Sequence, residues 1–203
     1  KKTSYAVIGA GHGGKAMAAH LALMGFQVTL FNRTLDNVRV IKQRGGIELE
    51  SYEGGPSGFG RIHHVTSDMG EAVDGAPVIM VVLPSSGHAD IARLCAPVLR
   101  DGQIVVLHPG RTCGAIEFRK VLSDNGCKAD VVVAEAETFI YASRSDGPAQ
   151  ARIFRIKDTV PVAALPAPQT SRVLAALAPA YPQFIDGISV LHTGLNNLGA
   201  IFH

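Results

Sequence analysis

The stretch "SYAVIGAGHGGKAMAAHLALMG", residues 4–25, decides the fold. Its first part is a short apolar run that ends in glycines, as a buried strand does. Its last part is rich in Ala, Leu and Met, which favour helix, and Gly25 is a natural helix stop. Between them Gly9-Ala10-Gly11-His12-Gly13-Gly14 spells G-x-G-x-x-G. Such a turn, following a strand and opening a helix inside a βαβ unit, is the setting in which the pattern binds a dinucleotide. Gly9 permits the tight turn, Gly11 lets a diphosphate reach the backbone, and Gly14 lets the helix pack on the sheet. The helix N-terminus then presents N–H groups and a positive dipole end. His12 and Gly13 lie in the same turn and are assigned to the cofactor with the other three.

Working outward, "QVTLFN" is a second strand with Asn32-Arg33-Thr34 at its tip. An NAD site places Asp or Glu there, to bond the ribose 2′-hydroxyl. Asn32 can still bond a hydroxyl, and Arg33 offers a fixed cation suited to a 2′-phosphate. The cofactor reading is therefore NADP, with NAD as the alternative. Thr34 is a candidate cap for a helix running to about Arg44. "GIELES" and "RIHHVT" flank the loop "YEGGPSGFG" and suggest an antiparallel excursion on the sheet edge.

Strand-like and helix-like runs then alternate: "DMGEAVDGA" (helix), "PVIMVVLP" (strand), "SGHADIARLCAPVL" (helix), "QIVVLHPG" (strand), "CGAIEFRKVLSDNG" (helix). "DVVVAEAETFIYASR" reads as a strand running into a loop, and "ARIFRIKDTVPVAAL" as one or two more strands. This rhythm implies a doubly wound, mostly parallel α/β sheet of Rossmann type. Ligands bind such sheets at the carboxyl ends of the strands. Leu83, Pro84, Pro109, Gly110 and Glu135 stand at those ends and are assigned to the cofactor site. His108 is either a site residue or part of a structural turn. "PQTSRVLAALAPAYP" is a helix bounded by prolines. "QFIDGISVLHTG" reads as a connector, and a helix starting near Gly194 would open a second, helical domain that lies outside this sequence. The division expected is a dinucleotide-binding domain over 1–185, then connector and first substrate-domain helix over 186–203.

The bulk properties agree. A chain of 203 residues with 47% hydrophobic content and a net charge of +2 is too nearly neutral to suggest a nucleic-acid partner. Three cysteines without a CxxC pair suggest a reducing, cytoplasmic compartment. The longest apolar run, residues 76–84, is too short to span a membrane. The first strand begins almost at once, so no leader peptide is expected. No histidine pair has metal-site spacing with a supporting carboxylate, so no metal is expected. His63 and His64 should alternate across an edge strand, and His20, His88 and His192 should be solvated or structural. Cys113 reads as a buried small residue, and Ser85-Ser86 lack a hydrolase setting.

Four stretches carry a family likeness: the glycine turn, "HPGRTCGAIEFRK" at 108–120, "EAETFIYASR" at 135–144 and "LHTGLNNLGAIFH" at 191–203. Through them the chain resembles the opine dehydrogenases of octopine/nopaline type, over nearly its whole length. Glu135, Tyr141 and Arg144 match the family's E…Y-x-x-R pattern. Asn197 and His203 match its N-x-x-x-x-x-H pattern at the head of the second domain. Gly199 stands where a second Asn is common, and Ser143 where a Cys is common, differences that bear on substrate preference. The resemblance implies NAD(P)H-dependent coupling of an α-keto acid with the amino group of an amino acid. It makes His203 the proton-handling group, a role that needs titration near neutral pH, and Asn197 its partner. Helical spacing instead puts Asn196, Gly199, Ala200 and His203 on one face, so Asn196 stays open as the partner. The assembly is open too, a homodimer included. The rival readings are a two-domain reductase of ketopantoate reductase or glycerol-3-phosphate dehydrogenase type, or a non-catalytic NAD(P)-binding module. Those reductases use a lysine for proton chemistry, and no lysine follows Lys157.

Overall fold

A computed structural model describes residues 3–196. Asn197 and His203, the two catalytic assignments, lie outside the described residues. In chain order the strands and helices are β1 (Ser4–Ile8), α1 (His12–Leu23), β2 (Gln27–Phe31), α2 (Arg39–Arg44), β3 (Gly46–Ser51), β4 (Gly58–Arg61) and β5 (His64–Thr66). They continue with α3 (Met69–Val73), β6 (Val78–Val81), α4 (His88–Cys95), β7 (Ile104–Leu107), α5 (Gly114–Asp124) and β8 (Val132–Ala136). The last are β9 (Tyr141–Gly147), β10 (Gln150–Ile156), β11 (Val160–Leu165), α6 (Thr170–Leu177), β12 (Phe184–Asp186) and α7 (Val190–Leu195). Contacts divide the chain into two compact units, Lys1–Leu83 with Ile140–Lys157, and Pro84–Phe139 with Asp158–His203.

In the first unit, parallel strands run in the order β6-β1-β2-β5, with Tyr5 opposite Val28 on one side and Val78 on the other. The central strands are apolar on both faces because both are covered, as parallel sheets require. A second, four-stranded sheet has the order β4-β3-β10-β9. Helix α1 touches strands of both sheets. That explains its composition: Ala16, Met17, Ala18, Ala19 and Leu21 are all fully buried, so it is apolar around most of its circumference. Each large side chain buried this way contributes about 1.5–3 kcal/mol. The helix ends as its sequence predicts. Gly25 takes φ +90°, its N–H reaches Ala22 O, and Phe26 N–H reaches back to Leu21 O. That pair of bonds is a Schellman stop.

Several expectations need correction here. The hairpin of β3 and β4 belongs to the second sheet rather than the edge of the parallel one. "RIHHVT" is divided between two sheets: Arg61 closes β4, and His64–Thr66 forms β5 beside β2. The bend between them leaves His63 and His64 both exposed, where alternation would have hidden one. "YASR" is no loop but the start of β9, paired antiparallel with β10. The expected helix from Thr34 to Arg44 is a 3₁₀ turn over Leu35–Val38 followed by the six-residue α2, and the Thr34 side chain makes no cap bond.

In the second unit β7 and β8 are parallel, β11 lies antiparallel to β8, and β12 parallel to β11. Helices α4 and α5 touch each other, and α6 covers β11 and β12. The expected connector is β12 and a turn, and the final helix begins at Val190, earlier than Gly194, capped by the Ser189 side chain on His192 N–H. The side chains of Ile185, Ile188, Leu191 and Leu195 are exposed there. No helix among the described residues is long and apolar enough to cross a membrane.

Candidate functional site

The glycine turn sits between β1 and α1, and each glycine answers to a different neighbour. Gly9 holds φ +111°, and a Cβ there would collide with the carbonyl of Val82. A Cβ at Gly14 would collide with the carbonyl of Gly9 itself, so the helix presses directly on the turn. A Cβ at Gly11 would meet nothing within 4 Å. Gly11 is the N-cap of α1, yet no side chain caps the helix, and its first turn contains no acidic residue. The first N–H groups of a helix have no partner within it. Here they face space with a positive dipole behind them, the requirements for an anion such as a diphosphate.

Around this turn the first unit adds polar ties. Asn32, at the tip of β2, accepts Ala10 N–H at 3.3 Å through Oδ1 and donates Nδ2 to Thr34 O at 2.9 Å. One N–H and one lone pair of its amide remain for a ribose hydroxyl. Arg33 and Thr34 follow, both exposed. Lys15, in the first turn of α1, belongs to no sequence motif, yet it takes part here. Its Nζ donates to Ser145 Oγ and to Gly147 O, both at 3.2 Å, and burial lowers its pKa. Ser145 N–H in turn donates to His12 Nδ1 at 2.8 Å. The end of β9 is thus fastened to the first turn of α1. Leu83, half-buried, follows β6, and its Cβ lies 3.5 Å from where a Cβ on Gly9 would stand.

In the second unit Glu135, on β8, is fully buried. Its Oε2 accepts Ala115 N–H at 2.7 Å and its Oε1 accepts the Thr193 hydroxyl at 2.8 Å. Burial pushes its pKa up, and the two hydrogen bonds pull against that rise. Gly110 lies so close that a Cβ would collide with the Glu135 side chain, and Gly110 N–H donates to Ala136 O at 3.0 Å. Pro109 is half-buried and Pro84 exposed. His108 is fully buried, edge-on to Phe139 at 5.0 Å and Phe184 at 5.3 Å, which supports the structural-turn reading. Arg111 and Cys113 take positive φ, 61° and 60°, a conformation uncommon outside glycine. Among the described residues no group of three His, Cys, Asp or Glu gathers as a metal site would require.

The family model for the NAD binding domain of 6-phosphogluconate dehydrogenase matches residues 4–124. The chain belongs to this NAD-binding domain family. The chain is 39% identical over 202 residues to an opine dehydrogenase from Arthrobacter sp. (strain 1C), covering 98% of this chain and 55% of that protein. The fold agrees with octopine dehydrogenase solved with NADH and L-arginine, at a TM-score of 0.83 and 20% identity, covering 98% of this chain and 52% of that one. It agrees also with NADP⁺-bound yersinopine dehydrogenase, at a TM-score of 0.76 and 16% identity, covering 97% and 50% of the two chains. This NAD-binding chain therefore spans about half the length of the relatives it matches.

Of the assigned positions, Gly9, Gly11, His12, Gly13, Gly14, Asn32 and Leu83 gather around the turn of the NAD-binding family. Gly110 and Glu135 meet in the second unit. Tyr141 and Arg144 are on β9, where Tyr141 is buried against the His20 ring at 5.5 Å and Arg144 is exposed. Asn196, the alternative partner for His203, is exposed and donates Nδ2 to Glu137 Oε2 at 3.4 Å. Thr193 escapes sequence reasoning because its partner, Glu135, is 58 residues away. A hydroxyl in a short C-terminal helix gives no sequence signal of that contact.

Proposed function

We propose that the complete protein is an NADPH-preferring opine dehydrogenase that couples an α-keto acid with the amino group of an amino acid. The observation that carries this reading is the sustained identity to opine dehydrogenase, combined with an α1 N-terminus that the chain leaves uncapped. Residues 1–185 form the dinucleotide-binding domain in this reading, and 186–203 the connector and first helix of a substrate domain. The N–H groups of 11–14 hold the diphosphate. Asn32 and Thr34 bond the adenosine ribose, and Arg33 meets the 2′-phosphate. Leu83 in the first unit, and Pro84, Pro109 and Gly110 in the second, are the further strand-tip contacts proposed for the cofactor. The bound cofactor supplies hydride.

His203 and Asn197 handle the remaining chemistry. The amine attacks a keto carbon only when deprotonated, and its carbinolamine must then be protonated to lose water. Imidazole performs both transfers near neutral pH, with Asn197 orienting the ring. A cytoplasmic location fits three cysteines that are all unpaired. Monomer or homodimer is read by light scattering on the same preparation.

The test is NADPH oxidation by the complete protein against a panel of amino acids and α-keto acids. Turnover should require one of each. His203→Ala should lower kcat about 10²–10⁴-fold, the range for losing a general acid–base, with NADPH affinity retained. Turnover with keto acid alone, or full kcat in His203→Ala, would remove the reading.

A further inference from the structure

Among the described residues of the second unit Glu135 is the fully buried carboxylate, and the proton chemistry above makes no use of it. A carboxylate taken from water is costly unless donors replace the water. Here both oxygens are supplied with donors, from two elements far apart in sequence. Ala115 N–H belongs to the first turn of α5, and the Thr193 hydroxyl to α7. The hydroxyl has other acceptors within its own helix, Val190 O at 3.3 Å and Ser189 O at 3.4 Å. It sits closest to the carboxylate, at 2.8 Å, and an ionised acceptor makes the stronger bond.

The surroundings are shaped to this arrangement. A Cβ on Gly194 would stand 3.4 Å from Glu135 Oε1, 3.1 Å from Cys113 N and 3.3 Å from Arg111 O. Gly110 closes the other side of the same carboxylate. Glycine at these two positions lets the 108–115 segment and α7 approach Glu135 together. Helix α7 has six residues, with Leu191 55% and Leu195 72% exposed. So short a helix does not hold itself and depends on tertiary ties. The side chain through which α7 bonds to another element is Thr193, which is fully buried.

We propose that Glu135 is a positioning residue: its carboxylate bolts α7, through Thr193, to the N-terminus of α5 and so holds the helix that precedes Asn197 and His203 in the sequence. The proposal rests on the proposed role of His203 for its catalytic consequence, but not for the bolt itself. Glu135 acts through placement because each of its oxygens already accepts a bond from the chain's own donors.

The test uses the complete protein with Thr193→Val, which keeps the shape and removes the hydroxyl, Thr193→Ser, which restores it, and Glu135→Gln. Glutamine has one acceptor oxygen, and its NH₂ would face a donor. Hydrogen exchange over 188–196 reads the bolt, NADPH titration reads the cofactor site, and steady-state kinetics read the coupling. In Thr193→Val, exchange in α7 should quicken about tenfold or more, as local opening becomes easier. Its kcat should fall about tenfold, the loss of one hydrogen bond to a charged group. The NADPH dissociation constant should stay within about twofold, and Thr193→Ser should restore exchange and kcat together. Glu135→Gln should follow Thr193→Val. Wild-type exchange in both Thr193→Val and Glu135→Gln would overturn the proposal. So would a loss of NADPH affinity parallel to kcat, which would make Glu135 part of the cofactor site. If no amino acid and keto acid pair is turned over by the wild type, the coupling reading fails alone, and exchange still decides the bolt.

Discussion

The two strand-to-helix turns that matter most treat the same physical problem in opposite ways. Both α1 and α5 begin after a strand and a glycine-bearing turn, and both have first N–H groups with no partner inside the helix, at a positive helix end. At α5 the chain supplies the anion, because Glu135 reaches from β8 and accepts Ala115 N–H. At α1 the chain supplies nothing: the N-cap is Gly11, the first turn has no acid, and the space before it is open. The difference separates a helix end used to hold the fold together from one kept for a ligand. It also tells which substitutions should damage stability and which should damage binding alone.

The largest effect expected is at Gly14. An alanine there drives its Cβ into the Gly9 carbonyl, and Gly9 itself lies against the Val82 carbonyl, which leaves little room to yield. Overpacking costs about 1–3 kcal/mol in ordinary cores and more where backbone must move. Gly14→Ala should therefore cost about 3 kcal/mol or more in chemical denaturation and abolish NADPH binding. Unchanged stability would mean the turn can relax and that its geometry is not fixed by close packing.

The two units also differ in how they bury a titratable group. Burial pushes the pKa of Glu135 up, and it pushes that of His20, 5% exposed beside Tyr141, down to about 4. The unfolded chain takes up a proton near pH 6.5 that the folded chain refuses until about pH 4. The unfolded state then binds more protons in that window, so stability rises with pH through it and is fully present above 6.5. Acidifying from pH 6.5 to 4 should remove about 3 kcal/mol from this group. His20→Met should flatten that part of the curve in urea titrations at stepped pH. An equal slope in the variant would assign the acid sensitivity elsewhere.

Much of this contrast is legible in the amino-acid sequence. The strands β1, β6 and β7 are continuous apolar runs, the glycine pattern follows one of them, and Gly25 ends α1 where its backbone freedom predicts. The second sheet is not legible, because β3 pairs with β10 across about a hundred residues of chain, and a polar strand such as "YASRSDG" has no apolar run to announce it. Glu135 stands out in the sequence only as a strand-tip carboxylate and a match to a family pattern. That its oxygens serve α5 and α7 depends on residues 115 and 193 arriving at the same place, and periodicity carries no such information. Asn32 reads as a ribose contact, and half of its amide turns out to hold the turn itself.

Gly11 sharpens the comparison most directly, since the open helix end can be filled deliberately. Its φ of −72° and ψ of −168° suit any N-cap residue, and a Cβ meets nothing. Gly11→Asp should give α1 the kind of carboxylate α5 already has, and raise stability by about a few tenths of a kcal/mol. The same carboxylate would occupy the anion's place, so NADPH affinity should fall about a hundredfold or more, roughly 2.7 kcal/mol. Thermal melting and fluorescence titration measure the two sides. Retained affinity would show that the diphosphate does not lie at this helix end.

The smallest effect expected concerns the choice between cofactors. Arg33 follows Asn32 at the tip of β2 and is exposed. A charge-assisted bond to phosphate is worth about 1.5–3 kcal/mol when sheltered, and exposure to water and salt reduces that to about 1 kcal/mol. Arg33→Ala should therefore weaken NADPH binding about fivefold to tenfold and leave NADH nearly unchanged. The NADPH-specific loss should shrink as ionic strength rises, because salt screens a charge pair but not the ribose hydrogen bonds. Equal loss for both cofactors would place Arg33 on the shared diphosphate. No loss for either would leave the preference to Asn32 and Thr34, whose hydrogen bonds do not discriminate by charge.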